Sequence, residues 1–191
     1  FSGNERNCFF INLGNGKFAD ISGLSGLDFP DDGRAISVTD WDNDGDLDLW
    51  ITNRNAPRLR LMRNDTKEDN PFISILLKGN GETVNKDAIG ARIEIINGKN
   101  SEKFKQIQTL RAGQGFLSQS SKWIQFALNE TIKSIDIKIS WPDGTVSKIQ
   151  DVLPNKKYII RQENSSAEEV KLESKKNNLV NSPALKNPPS Q

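Results

Sequence analysis

Five aspartates occupy alternate positions of Asp40-Trp41-Asp42-Asn43-Asp44-Gly45-Asp46-Leu47-Asp48, with one glycine among them and no basic residue. Carboxylates crowded in this way repel one another unless a cation lies between them. A hard ion with oxygen ligands meets that need. Calcium, which takes about six to eight oxygens, fits such a loop best. The spacing predicts side-chain oxygens from Asp40, Asp42, Asp44 and Asp48, and mainly the backbone carbonyl from Asp46. Gly45 supplies the bend that turns these groups inward.

Two other acidic chemistries can be weighed against this one. An EF-hand loop also opens Asp-x-Asp-x-Asp-Gly, but it needs a Glu at its twelfth position. Counted from Asp40, that position is Ile51, and both flanks read as strands. Paired carboxylates that hydrolyse glycosides face each other across a cleft instead of sharing one loop. The plain alternative is a solvated acidic turn. With an ion bound, a nearly saturated carboxylate cage leaves little room for substrate, so a structural role for the metal is expected. The chain has no histidine and one cysteine. Ser-His-Asp and Cys-His machinery is therefore excluded, a zinc site is disfavoured, and no internal disulfide can form. No catalytic residue is assigned, and the chain is read as not an enzyme.

Strands must position the loop. Residues 9–21 hold two apolar runs around Gly14-Asn15-Gly16, which is hairpin chemistry. Residues 34–39 form a short strand that leads into the aspartates. Beyond them Leu47, Leu49 and Ile51 alternate with polar residues in a second strand, and Leu59–Met62 makes a third. From Phe72 further strands are expected at 72–77, 89–96, 104–110, 123–128, 132–141, 145–149 and 158–160, with a turn at Pro142-Asp143-Gly144. Strands at this spacing without a convincing helix predict an all-β fold, sandwich or barrel-like in its second part. After Glu163 there is no aromatic residue and no glycine. Such a stretch cannot bury enough apolar area to order itself, so 163–191 is expected to be a disordered tail or linker, with at most a short helix near 167–174.

Charge follows the same division. Residues 1–70 carry 8 Lys/Arg against 13 Asp/Glu, and residues 71–162 carry 14 against 8. The basic excess is spread among strands, so nucleic acid is not an expected partner. No apolar run reaches the length of a membrane span. Arg54, Arg58, Arg60 and Arg63 read as surface charges that offset the acidic loop. The polar residues Arg111, Ser118, Gln119 and Ser120 read as a loop held by side-chain to backbone hydrogen bonds. Trp50, Trp123 and Trp141 read as core or edge aromatics. Cys8, beside Phe9 and Phe10, reads as a small buried apolar residue.

Two families share these motifs. Residues 12–21 together with Asp40–Leu49 resemble the FG-GAP/VCBS repeat, whose copies form blades of calcium-stabilised β-propellers. Residues 71–162 resemble the ASPIC/UnbV domain through Asn85–Arg92, Arg111–Ser120 and Trp141-Pro142-Asp143-Gly144. The family usually has His-Phe-Gly-Leu-Gly where this chain has Gln125-Phe126-Ala127-Leu128-Asn129. The order of the two parts is similar to that in bacterial relatives of cartilage acidic protein.

The resemblance implies an FG-GAP/VCBS-like calcium-binding blade at 1–70, an ASPIC/UnbV-like β domain at 71–162 and a tail at 163–191. It implies a partial β-propeller with further blades upstream of Phe1, where the chain begins without an initiator Met. It also implies an extracellular, cell-surface or periplasmic location. The expected function is adhesion or ligand binding, toward a protein or glycan, with calcium serving structure. The alternative is an accessory domain of a larger enzyme that processes polysaccharide or a secondary metabolite.

Overall fold

Alternating apolar residues and turn-forming glycines carry most of the chain into strands. The computed structural model describes residues 3–66, 70–97 and 104–171. Among them every regular element is a strand: β1 Phe10–Gly14, β2 Lys17–Asp20, β3 Gly33–Thr39, β4 Asp48–Asn53, β5 Leu59–Met62, β6 Phe72–Lys78, β7 Arg92–Asn97, β8 Phe104–Thr109, β9 Ile124–Ala127, β10 Ile135–Ser140, β11 Val146–Val152, β12 Lys156–Arg161 and β13 Ala167–Val170. β1 and β2 form a hairpin, and β3-β4-β5 an antiparallel three-stranded sheet. The remaining strands make two four-stranded sheets, in the orders β11-β10-β7-β8 and β13-β12-β6-β9.

The two larger sheets share one core. Ile93 and Ile95 of β7 and Ile135, Ile137 and Ile139 of β10 come from one sheet. Ile73, Ile75 and Leu77 of β6, Phe126 of β9 and Tyr158 and Ile160 of β12 come from the other, and all join one buried cluster. Strict alternation along β10 sends each isoleucine inward and each intervening residue outward. On the outer face Glu94 gathers Lys105 at 2.7 Å and Arg92 and Lys138 at 3.7 Å. The pairing of β6 with β12 is parallel, whereas every other ladder is antiparallel.

Several expectations need correction. The segment after Glu163 is not wholly without structure. Ala167–Val170 pairs antiparallel with β12, from Lys157↔Val170 to Ile160↔Ala167, so the helix expected near 167–174 is a strand over its described part. Backbone ladder bonds along the β12 edge order these residues despite their polar composition. Residues 172–191 lie outside the described residues, as does Gly98 of the expected Asn97-Gly98 turn. β7 begins at Arg92 and not at Ile89. Ala88 (φ 54°) and Gly90 (φ 97°) turn the backbone there, and the Gly90 N–H donates to the Leu110 carbonyl. Cys8 is exposed, not buried.

Asp143, in the β10–β11 turn, shows how the turns are tied together. Its Oδ1 accepts from Thr145 N (3.0 Å) and Thr145 Oγ1 (2.7 Å), and its Oδ2 accepts from Thr83 Oγ1 (2.7 Å) and Gln162 Nε2 (2.8 Å). These donors, Thr145 foremost, hold its carboxyl far below the usual carboxylate range. A carboxyl depressed on folding stabilises the protein above its unfolded pKa of about 3.9, and that contribution is lost as pH falls through the folded value. The Asp143→Asn variant should therefore be less stable than the parent at neutral pH and should show a shallower loss of stability below about pH 4. Urea unfolding across a pH series measures both.

Candidate metal centre

The register of the three-stranded sheet places the acidic loop. Thr39, the last residue of β3, lies opposite Asp48, the first of β4, so residues 40–47 span the turn between them. Two residues in that turn have left-handed backbone, Asn43 (φ 62°) and Gly45 (φ 104°). Asparagine tolerates this conformation and glycine adopts it freely. The Asp46 N–H donates to Asp44 Oδ1 at 2.9 Å, tightening the tip.

Asp48 locks the loop at its base. Its side chain is fully buried. Oδ2 accepts from Trp41 N and Oδ1 from Asn64 N, both at 2.8 Å. One carboxylate thus joins the start of the loop to the chain beyond β5. Trp41 also packs edge-on against Trp50, with ring centroids 5.1 Å apart.

The fold brings Asp40, Asp42 and Asp48 together, with one carboxylate oxygen of each lying within 4.8 Å of the others. Asp44 and Asp46 stand outside this trio. Oδ1 of Asp40 and Oδ1 of Asp42 are buried and have no hydrogen-bond partner. Burial raises the Asp42 carboxyl above its ordinary value, and the charges of Asp44 and Asp48 raise it further. Burial also raises Asp48, against the opposing effect of its two backbone donors. Unpaired buried carboxylate oxygens are costly, and a bound cation is the usual remedy. With oxygen donors only, the trio can chelate a hard divalent ion.

The loop does not stand free of the second part of the chain. The Phe72 ring covers Gly45 so closely that a Cβ there would overlap it. Gln125 Nε2 donates to the Gly45 carbonyl. Lys157 Nζ donates to Asn43 Oδ1 at 3.0 Å. The same ammonium lies 2.6 Å from Asp40 Oδ2, an ion-pair contact outside hydrogen-bond alignment. These three side chains come from β6, β9 and β12, adjacent strands of one sheet. A second seam is formed by the loop that follows β8. Ser37 Oγ donates to the Gln119 carbonyl (2.7 Å), Val38 N to Ser120 Oγ (3.2 Å) and Ser121 N to the Val38 carbonyl (2.9 Å).

Two of the three strands that hold the loop from this side, β9 and β12, fall within a recognisable segment, and β6 precedes it. Residues 81–167 match the ASPIC and UnbV family. No curated protein matches the chain. The ASPIC and UnbV segment contains Gln125 and Lys157 but not the aspartates, so the centre is assembled by residues on both sides of the segment's boundary.

The other candidates settle into structural roles. Arg60 pairs with buried Asp31 and stacks over Phe29 at 4.0 Å, and Arg54 lies 3.7 Å from Asp32. Arg63 pairs with Asp65 at 2.7 Å and reaches to 3.9 Å from Asp42. The Ser118–Ser121 stretch is held by side-chain to backbone bonds, and its partners include β3. Trp141 is buried and donates from Nε1 to Ser147 Oγ at 2.9 Å. Sequence reasoning overlooked Lys157, Gln125 and Phe72. No local pattern marks them, because each reaches the loop only through strand pairing between residues distant in sequence.

Gly45→Ala tests the geometry. The substitution combines left-handed backbone strain with overlap on Phe72, and it should destabilise the protein by about 1–3 kcal/mol, measured by denaturant unfolding. Gly144→Ala, also left-handed but in open space, should cost less.

Proposed function

We propose that this chain is a non-enzymatic, extracytoplasmic binding module in which calcium organises the Asp40–Asp48 loop. The observation that carries the reading is the trio Asp40, Asp42 and Asp48, in which the buried Oδ1 atoms of Asp40 and Asp42 have no hydrogen-bond partner. In the bound state Asp40, Asp42, Asp44 and Asp48 supply side-chain oxygens and Asp46 its carbonyl. Oxygen ligands drawn from one loop favour calcium over magnesium, which demands a stricter octahedron. We read the loop with its sheet as an FG-GAP/VCBS-like propeller blade, and the two four-stranded sheets as the layers of a sandwich.

Burial supports incompleteness on the blade side. Among the described residues 3–66 only Ile51 counts among the buried apolar residues, while Phe10, Leu13 and Phe18 are 57%, 62% and 63% exposed. An apolar hairpin this open fits a surface that neighbouring blades cover, because repeat units bury their faces against one another. The partner recognised by the assembled protein is a protein or a glycan. Millimolar calcium outside cells suits a site of modest affinity.

Calcium added to chelator-stripped protein should raise the thermal midpoint. At free calcium about 100 times the dissociation constant the stabilisation is about 2.7 kcal/mol. Magnesium at equal concentration should give a smaller rise. Asp48→Asn and Asp44→Ala should each lose most of the calcium effect. An unchanged midpoint in the parent protein would refute the site.

A further inference from the structure

We propose that Lys157 is a built-in counter-cation of the aspartate loop, competing with the divalent ion for Asp40 and so coupling metal affinity negatively to the contact between loop and sheet. This inference rests on the calcium reading above. It starts from the sheet register. Gln125 lies opposite Ser74, and Ser74 lies opposite Lys157, so the three form one row across β9, β6 and β12. Tyr158 and Ile160 point to the core, and alternation sends Lys157 to the opposite face, toward the aspartates. The row is polar and it faces the loop: Gln125 holds the Gly45 carbonyl, and Lys157 holds Asn43 and Asp40.

The lysine is buried, with a side chain only 8% exposed. A buried ammonium needs compensation, and Asp40 Oδ2 at 2.6 Å, Asn43 Oδ1 at 3.0 Å and the Trp123 ring at 6.0 Å provide it. Asp40 is then a shared residue. Oδ2 faces the ammonium, Oδ1 has no hydrogen-bond partner, and the carboxylate belongs to the trio that a metal would join. A fixed positive charge against one ligand weakens the attraction of the loop for a second cation. Coupling is reciprocal, so whatever factor the lysine takes from calcium affinity, calcium takes from the hold of Lys157 on the loop.

Isothermal titration of calcium into chelator-stripped parent protein and the Lys157→Met variant tests the proposal. Loss of the ammonium should tighten calcium binding about fivefold or more, within the usual range for coupled sites. Lys157→Gln, which is neutral but keeps a donor for Asn43, should do the same and serves if the Met variant does not fold. In the parent protein an amine-acetylating reagent should label Lys157 faster when calcium is present. Calcium heat in parent and variant with equal dissociation constants, or weaker binding in the variant, overturns this inference and leaves the calcium site standing. So does calcium heat in the parent with labelling of Lys157 unaffected by calcium. No calcium heat in any of the proteins overturns the calcium site and the inference together.

Discussion

Negative charge confined where water is scarce is the constraint on which this structure turns. Asp40, Asp42 and Asp48 cannot separate, because the Thr39↔Asp48 register fixes the mouth of the loop and Asp48 ties its base to Trp41 and Asn64. Their oxygens must find positive charge or donors nearby. Backbone N–H groups satisfy Asp48, Arg63 reaches toward Asp42, and Lys157 approaches Asp40. What these leave over is an all-oxygen chelating site. The position of the loop against β6, β9 and β12 follows from the same demand, since part of the neutralising charge is carried by that sheet.

The two parts of the chain contribute unequally to stability. Apolar burial is the main favourable term in folding, and here it is concentrated between Ile73 and Ile160. The acidic part has Ile51 as its buried apolar residue among those described, and otherwise relies on ladders, ion pairs such as Arg60–Asp31 and the two seams with its neighbour. Seams made of hydrogen bonds and one buried ion pair contribute less than a packed core, but they are directional. They fix how the loop is presented more than they add to stability.

Local patterns made much of this legible. Gly14-Asn15-Gly16 marked the hairpin, the Ile135-Ile137-Ile139 alternation marked β10, and the aspartate spacing marked the acidic loop with its central bend at Gly45. Long-range pairing was not legible. Nothing in Lys156–Arg161 announces a parallel partner at Phe72–Lys78, and so nothing announced that Lys157 would face Asp40. The strand at Ala167–Val170 escaped for a related reason. Its residues bury little, and the open edge of β12 recruits them through backbone bonds that composition does not record. Ile89 looked like strand because it is apolar, yet the left-handed residues on either side of it, Ala88 and Gly90, make a turn.

The parallel ladder between β6 and β12 has a consequence for the order of assembly. Its partners, such as Ser74 and Lys157, lie at opposite ends of the second part of the chain. Contacts between residues so distant in sequence form late, because a long loop must close before they contribute. The hairpin and the β3-β4-β5 sheet pair only near neighbours in sequence and have no such delay. The aspartate loop is thus closed by local strand pairing, whereas its contact with Lys157 depends on the long-range ladder.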